Sequence, residues 1–417
     1  MTSTTTKRPY DPLSVSELEF WTQTAEERDK TFEILRTERP LSWHRPMQGG
    51  LLTPDIDGIW VATSHELISQ VSQKPELFSS AHGVNMEELS EDVLEAASSF
   101  LGMDDPKHAR LRKVISSAFT PKRVTQIHDQ IRQQATTIVD DLLKVSEGDF
   151  VQLVSKRLPM WTIYEMLGLE QKYREEAAHA AEEMVAWNDD EVAAGRHPVE
   201  LLNGALVKLL IIGIEFAGRR RAEPKSDLMT ALVQAEVGGV RLTDDEIGAF
   251  FVLLSVAGND TTRNTTTLIT EAFQDFPAQR ELLLSDYDVH IGTAVEEFVR
   301  FVSPVMTFRR TVTQDVEFAG QSLREGDWVV MVYPSGNRDE SVFERPHEFD
   351  ITRNPNPHVG FGGRGPHFCM GNFVAKIQLR EIFDQLLHRV PALRVGEPEF
   401  LAGSFIRSVK SMPCTIH

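Results

Sequence analysis

Apolar residues recur at three- and four-residue intervals over residues 104–300, the period of helices that each bury one face. Two stretches stand out in that block. Residues 170–200 are charged and alanine-rich, which predicts solvent-facing helices with a loop around Asp189-Asp190. Residues 243–276 hold no proline, open on a capping box of Thr243 with Glu246 and stop before Pro277, which predicts one long helix. Its middle, residues 250–257, is almost wholly apolar, the mark of a helix buried on every side. Outside the block the period changes. Residues 59–63 read as a strand, with Leu51-Leu52 as a candidate partner, and residues 311–320 with 328–332 read as a hairpin. A helix with apolar Phe373, Val374, Ile377 and Leu379 follows, and a short β-rich tail closes the chain. The sum is a mainly α fold with minor β.

Composition narrows this picture. The 417 residues contain no Gly/Ser tract, proline spacer or repeat, so residues 1–417 read as a single domain behind a short polar segment of about 15 residues. A net charge of −19 argues against a general nucleic-acid binder, which needs a basic face. Two cysteines, Cys369 and Cys414, are too few for a disulfide framework and fit a reducing compartment. The N-terminal segment carries Pro9 and Pro12 and reads as neither signal peptide nor anchor. No stretch reaches about 18 uninterrupted apolar residues, so the expectation is a cytoplasmic protein with no transmembrane segment.

Chemistry concentrates at a few places. The long helix meets Gly258-Asn259-Asp260-Thr261-Thr262 after its apolar run. One reading makes Asn259 or Asp260 the N-cap of a new helix. The other is a kinked, buried helix with an acid beside an alcohol, a pair able to pass protons to a ligand. Cys369 sits in Phe361-Gly362-Gly363-Arg364-Gly365-Pro366-His367-Phe368-Cys369-Met370-Gly371. Glycines let a backbone pass close to a flat ligand. The helix after the loop points its N–H groups and positive dipole end at the sulfur, which favours thiolate. A thiolate there is what a haem iron needs as fifth ligand. Glu297 and Arg300 lie three apart on one helical face, as an ordinary exposed pair would, and Arg353 lies in a Pro- and Phe-rich segment. His108 and Arg112 share a face at i, i+4, and with Arg310 and His367 make a scattered set of donors suited to two haem propionates.

Together these elements resemble the cytochrome P450 monooxygenases, from about Phe20 to the end of the chain. The resemblance implies that fold, with haem between the long central helix and the helix after the cysteine loop. It implies Cys369 as axial thiolate ligand of a haem b (iron protoporphyrin IX). It implies an oxygen-activation motif at Ala257-Gly258-Asn259-Asp260-Thr261-Thr262, with Asp260 and Thr261 delivering protons. Glu297, Arg300 and Arg353 become a buried network, and His108, Arg112, Arg310 and His367 hold the propionates. One departure concerns Phe361, which precedes Cys369 by eight residues where the commonest family spacing is seven. That variant, with Asn356-Pro357-His358-Val359-Gly360 before it, is similar to actinobacterial members that oxidise branched lipids and sterol side chains.

The implied activity inserts one oxygen atom from O2 into a C–H bond. A non-catalytic haem-thiolate sensor and a peroxide-driven enzyme are the competing classes, and the acid–alcohol pair speaks against both. A non-haem helical scaffold leaves the glycine loop and the cations unexplained. No Cys cluster and no Gly-x-Gly-x-x-Gly after a strand is present. Electrons are therefore expected from a ferredoxin with its NAD(P)H ferredoxin reductase, or from a flavodoxin. Arg364, Lys376, Arg380, Lys113 and Lys122 form a candidate docking patch for an acidic donor, or are solvated surface charges. The expected substrate walls are Leu253, Val256 and Ala257 of the long helix, then Val305, Met306, Thr307 and Phe308, with Phe405, Met86 and Met103. Their apolar character predicts hydroxylation near the end of a methyl-branched or isoprenoid chain, with a terpenoid or sterol as the alternative.

Overall fold

The structure, a computed structural model, describes residues 8–52, 54–89, 99–118 and 121–416. The helices that build the site are α1 (His65–Gln73), α2 (Lys107–Ala118), α3 (Pro121–Leu142), α4 (Arg157–Leu167), α5 (Gln171–Val185), α6 (Pro198–Ala222), α7 (Asp244–Asp275), α8 (Tyr287–Val302) and α9 (Asn372–Arg389).

Helix α7 is the spine. The Thr243 hydroxyl accepts the Glu246 N–H at 3.1 Å, and the Glu246 carboxylate accepts the Thr243 N–H at 3.0 Å. From that cap the helix runs 32 residues without interruption. No new helix starts at Asn259, and Gly258 does not break the old one. The reason lies in the hydroxyls. Thr261, Thr265, Thr266, Thr267 and Thr270 each donate to the carbonyl four residues back, so the polar stretch satisfies itself within the helix. Gly258 answers to packing instead. A Cβ there would lie 2.5 Å from Ile163 Cδ1 of α4.

Two apolar cores flank this spine. Toward its C-terminal end, Phe273 packs edge-to-face on Phe298 of α8 and Phe383 of α9, with ring centroids 5.7 Å apart in each case. Toward its N-terminal end, Ile247, Phe250 and Phe251 pack with Tyr164, Leu209 and Phe216 of α4 and α6. The alanine-rich stretch turns Ala177, Ala180 and Ala181 of α5 into this second core. Asp189 then caps a short helix, Asp190–Ala193, by accepting the N–H groups of Glu191 and Val192. Helix α6 is, among the described residues, the one helix long and apolar enough to cross a membrane by length and composition. Lys208 and Glu215 interrupt its apolar run, and half of its apolar window is buried against the rest of the chain.

A five-stranded sheet closes one side. It contains β1 (Leu41–His44), β2 (Ile59–Ala62), β3 (Phe78–Ser79), β4 (Thr307–Val312) and, after the hairpin of β5 (Val316–Phe318) and β6 (Gln321–Leu323), β7 (Trp328–Val332). The spatial order is β1-β2-β7-β4-β3. Leu51-Leu52 is not the partner of β2, and Leu52 forms an isolated bridge with Glu88. β1 takes that place, with Trp43 opposite Trp60 and their rings 5.1 Å apart edge-to-face. The single hairpin read from residues 311–332 is two nested pairs. β4 and β7 form the outer one, and β5 and β6 turn at Ala319 and Gly320, both at positive φ.

Candidate active site

The loop before α9 is shaped as much by its neighbour α1 as by any ligand. A Cβ on Gly365 would overlap the Ser72 carbonyl, and one on Gly363 would lie 2.5 Å from the Ser72 hydroxyl. These two glycines let the loop lie on α1, and Gln73 Nε2 donates to the Gly363 carbonyl at 2.9 Å. The Cys369 N–H bonds the Phe361 carbonyl at 2.9 Å, which folds the loop back on itself. Asn372 Nδ2 donates to the Cys369 carbonyl at 2.7 Å. Burial pushes the Cys369 thiol up, while the N–H groups of Gly371 and Asn372 and the Arg112 charge pull it down. Cys414 lies in the tail, paired across strands with Gly148, and burial pushes its thiol up to about 11.

Cys369 opens on a cavity of about 620 Å³. Thr261, Thr262 and Thr265 of α7 also face it. Asp260 does not. Successive helical residues point about 100° apart. The Asp260 side chain is turned away, buried, and ion-paired to Arg263 Nη1 at 3.2 Å. Arg263 in turn donates to the Val409 carbonyl at 2.6 Å. Burial raises the Asp260 carboxyl, and Arg263 lowers it in part. The acid and the alcohol are thus neighbours in sequence on different faces of one helix.

Four donors gather beside the thiol. Arg112, Arg310 and His367 line the cavity. Arg112 Nη2 donates to the Phe368 carbonyl at 2.6 Å, and Arg310 Nη1 to the Arg309 carbonyl at 2.7 Å. The rings of His108 and His367 lie 4.2 Å apart. His108 Nδ1 faces Asp105 at 3.4 Å, and His367 Nε2 faces the Ser80 hydroxyl at 3.2 Å. Their other nitrogens, His108 Nε2 and His367 Nδ1, are buried with no hydrogen-bond partner among the described residues. Burial lowers both imidazoles, His367 to about 3. Buried imidazole nitrogens left open beside two arginines fit the carboxylates of a haem, whose negative charge would favour the protonated ring in which both nitrogens donate.

Behind this site Glu297, Arg300 and Arg353 come together. Arg300 binds Glu297 through two bonds of 2.7 Å, and Arg353 Nε reaches the same carboxylate at 3.2 Å. Glu297 and Arg300 are fully buried, so the exposed-pair reading does not hold. The remaining Arg300 protons go to the carbonyls of Asn337, Pro346 and Glu348.

Of the expected walls, Leu253, Val256, Ala257, Val305, Phe308 and Phe405 face the cavity. Met86, Met306, Met103 and Thr307 do not. Met86 and Met306 pack behind the sheet with Phe32 and Trp328, and Met103 packs with α2 and α4. Thr307 is buried and donates to the Ser404 carbonyl at 2.8 Å. Phe100, Ile163, Met184, Trp187, Leu202 and Leu401 are walls that sequence reasoning missed. They come from separate elements, each with an ordinary apolar pattern, so no local signal marks them. The candidate docking patch is partly neutralised. Lys376 pairs with Glu296 at 2.5 Å and Arg380 with Asp288 at 2.6 Å, while Arg364 and Lys113 are exposed. The Lys122 side chain lies outside the described residues.

Comparison with known proteins decides the family. The family model for cytochrome P450 matches residues 292–391. The chain is 36% identical to the methyl-branched lipid omega-hydroxylase of Mycobacterium tuberculosis over 98% of this chain and 95% of that protein. The chain belongs to the cytochrome P450 family. It is 37% identical to a steroid C26-monooxygenase of Mycolicibacterium smegmatis, over 90% of this chain and 87% of that one. A Mycobacterium marinum cytochrome P450 in complex with pseudoionone superposes with a TM-score of 0.94 at 46% identity, over 98% of this chain and 99% of that one. This P450 is accordingly a monooxygenase, with haem held by a cysteine thiolate and O2 as co-substrate. Bacterial members of the family generally take electrons from redox partners.

Proposed function

We propose that this P450 hydroxylates a hydrophobic molecule near the end of a methyl-branched or isoprenoid chain. One observation carries the reading: a single cavity, walled mainly by apolar side chains, joins the Cys369 thiol and the Thr261 hydroxyl. In this reading Cys369 is the thiolate ligand, and His108, Arg112, Arg310 and His367 hold the propionates. Bound haem supplies activation of O2 and transfer of one oxygen atom to carbon. The chain supplies the rest. Leu253, Val256 and Phe405 exclude water and hold the chain end. Thr261, its proton held on the Ala257 carbonyl at 3.0 Å, is placed to hand a proton into the cavity. Asp260 acts from behind the helix, where Arg263 holds it. The electron donor is a ferredoxin with its NAD(P)H reductase, or a flavodoxin, docking near Arg364 and Lys113.

The names of the relatives support the substrate class, since one is a methyl-branched lipid omega-hydroxylase. A sterol side chain is the second reading, favoured by the steroid C26-monooxygenase relatives. A panel of branched fatty acids, isoprenoid alcohols and sterols tests both. Branched or isoprenoid members are expected to shift the Soret band from low to high spin and to yield hydroxylated product by mass spectrometry. A shift confined to compact polar aromatics overturns the branched-lipid reading. A shift confined to sterols selects the second.

A further inference from the structure

The cavity wall holds one acid that the chemistry above does not use. Glu87 lies in the segment between β3 and α2, and its side chain lines the cavity while only 8% of the residue is exposed. The same cavity is lined by the apolar Leu51, Leu89, Val305 and Phe405. Its Oε1 accepts from the Ser404 hydroxyl at 3.4 Å, and Ser404 is itself 1% exposed. The Ser404 carbonyl is held by the Thr307 hydroxyl, so the serine is fixed from behind.

Among the described residues no cation pairs with Glu87. Arg309, whose N–H bonds the Val84 carbonyl of this same segment, is directed elsewhere, with its Nη1 left without a hydrogen-bond partner among the described residues. Arg309 lies over the Trp328 ring at 3.3 Å, bonds the His82 carbonyl at 2.5 Å, and answers electrostatically to Glu88 rather than Glu87. Burial pushes the Glu87 carboxyl up to about 7. A carboxyl in an apolar wall with one long hydrogen bond carries an uncompensated desolvation cost. A ligand group that completes its bonding removes that cost.

We propose that Glu87 and Ser404 form a polar subsite that prefers a neutral hydrogen-bonding end, a hydroxyl or carbonyl, of an otherwise apolar chain over a carboxylate, so that a branched fatty acid binds more weakly than the matching alcohol. This rests on the reading of the cavity as the site of an apolar chain, and it names which chains fit. A neutral carboxyl donates to a carbonyl and both donates to and accepts from a hydroxyl. A carboxylate end meets no cation there and a like charge whenever Glu87 ionises.

Four ligands that share one methyl-branched chain and end in hydroxyl, ketone, carboxylate or methyl test the subsite. Dissociation constants come from spin-state titration of the haem-loaded enzyme, with the ferrous–CO spectrum as a check on folding. The wild type is expected to bind the hydroxyl end about tenfold tighter than the methyl end, and the carboxylate end weakest of the four. Glu87→Leu brings the hydroxyl-to-methyl ratio close to one. Glu87→Gln keeps the hydroxyl preference and admits the carboxylate. Ser404→Ala, run in parallel, lowers the same ratio and serves if Glu87→Leu loads haem poorly. Equal wild-type affinity for hydroxyl and methyl ends overturns the subsite, as does an unchanged ratio in both Glu87→Leu and Ser404→Ala. If no member of the series shifts the spin state of the wild type, the apolar-chain reading itself falls.

Discussion

At Cys369 two influences oppose each other. Burial favours the neutral thiol, and the Gly371 and Asn372 amides with Arg112 favour the thiolate. A metal cation settles that contest, because a coordinated thiol is deprotonated outright. Cys369→Ser is therefore expected to lose the thiolate-type ferrous–CO band and all monooxygenation. An unchanged band would direct attention to Cys414, the other thiol in the chain. Thr261 and Asp260 are separable by experiment because they occupy different faces of α7. Thr261 touches the cavity, so Thr261→Ala is expected to keep consuming reductant while product per reductant falls and peroxide rises. Asp260 works only through what it can reach. Asp260→Asn is expected to lower kcat on the order of 10²-fold with little change in KM, the size of effect seen when one proton-transfer group is lost. Full coupling in Thr261→Ala, or an Asp260→Asn change confined to KM, would remove the residue concerned from proton delivery.

The element that decides most is α7, and its tightest point is Gly258. Glycine costs the helix roughly 1 kcal/mol relative to alanine, so propensity alone argues for replacing it. Packing argues the other way, because Ile163 Cδ1 occupies the space a side chain would need. The Cβ of alanine would lie 2.5 Å from Ile163 Cδ1 and 2.7 Å from its Cγ1, so that side chain must turn aside, which offsets the gain in propensity. Valine overfills the gap. Gly258→Val is expected to destabilise the fold by about 1–3 kcal/mol. Adding Ile163→Ala to that variant reopens the space and is expected to recover part of the loss. Thermal melts of the single and double variants read this directly. A Gly258→Val protein that melts with the wild type would show that α4 and α7 are not in register here.

Across the molecule, charge matters where it is buried. The exposed pair of Arg345 and Glu348 contributes about 0–1 kcal/mol, like most surface pairs. Glu297 and Arg300 are the opposite case, since neither touches solvent. Arg300 also ties α8 to the carbonyls of Asn337, Pro346 and Glu348, three points of the chain between the sheet and the cysteine loop. Arg300→Leu removes the two shortest bonds of the buried Glu297 and leaves Arg353 as its one cationic partner among the described residues, with an expected cost of about 3–5 kcal/mol. The readouts are haem content and melting temperature. A fully haem-loaded variant with unchanged melting would contradict a supporting role for the network.

What the sequence determined by itself was whatever depends on near neighbours. The α7 cap joins residues three apart, and the pairing of Glu297 with Arg300 needs one helical turn. The cysteine loop showed its glycines and its following helix within eleven residues. Such features are legible because helical geometry fixes which side chains meet at short separation. The burial that turns Glu297 and Arg300 from a surface pair into an internal strut was not legible locally, and rested on resemblance. Tertiary structure alone decided the partner of β2, because pairing energy comes from a strand and an aromatic ring elsewhere in the chain. It also decided that Met86, Met103, Met306 and Thr307 leave the cavity while Phe100, Trp187 and Leu202 enter it. Apolarity says that a side chain is buried, but not against which surface. Glu87 shows the same limit from the polar side. In sequence it is one of two adjacent glutamates, and only the approach of the turn carrying Ser404 makes it the acid inside the cavity.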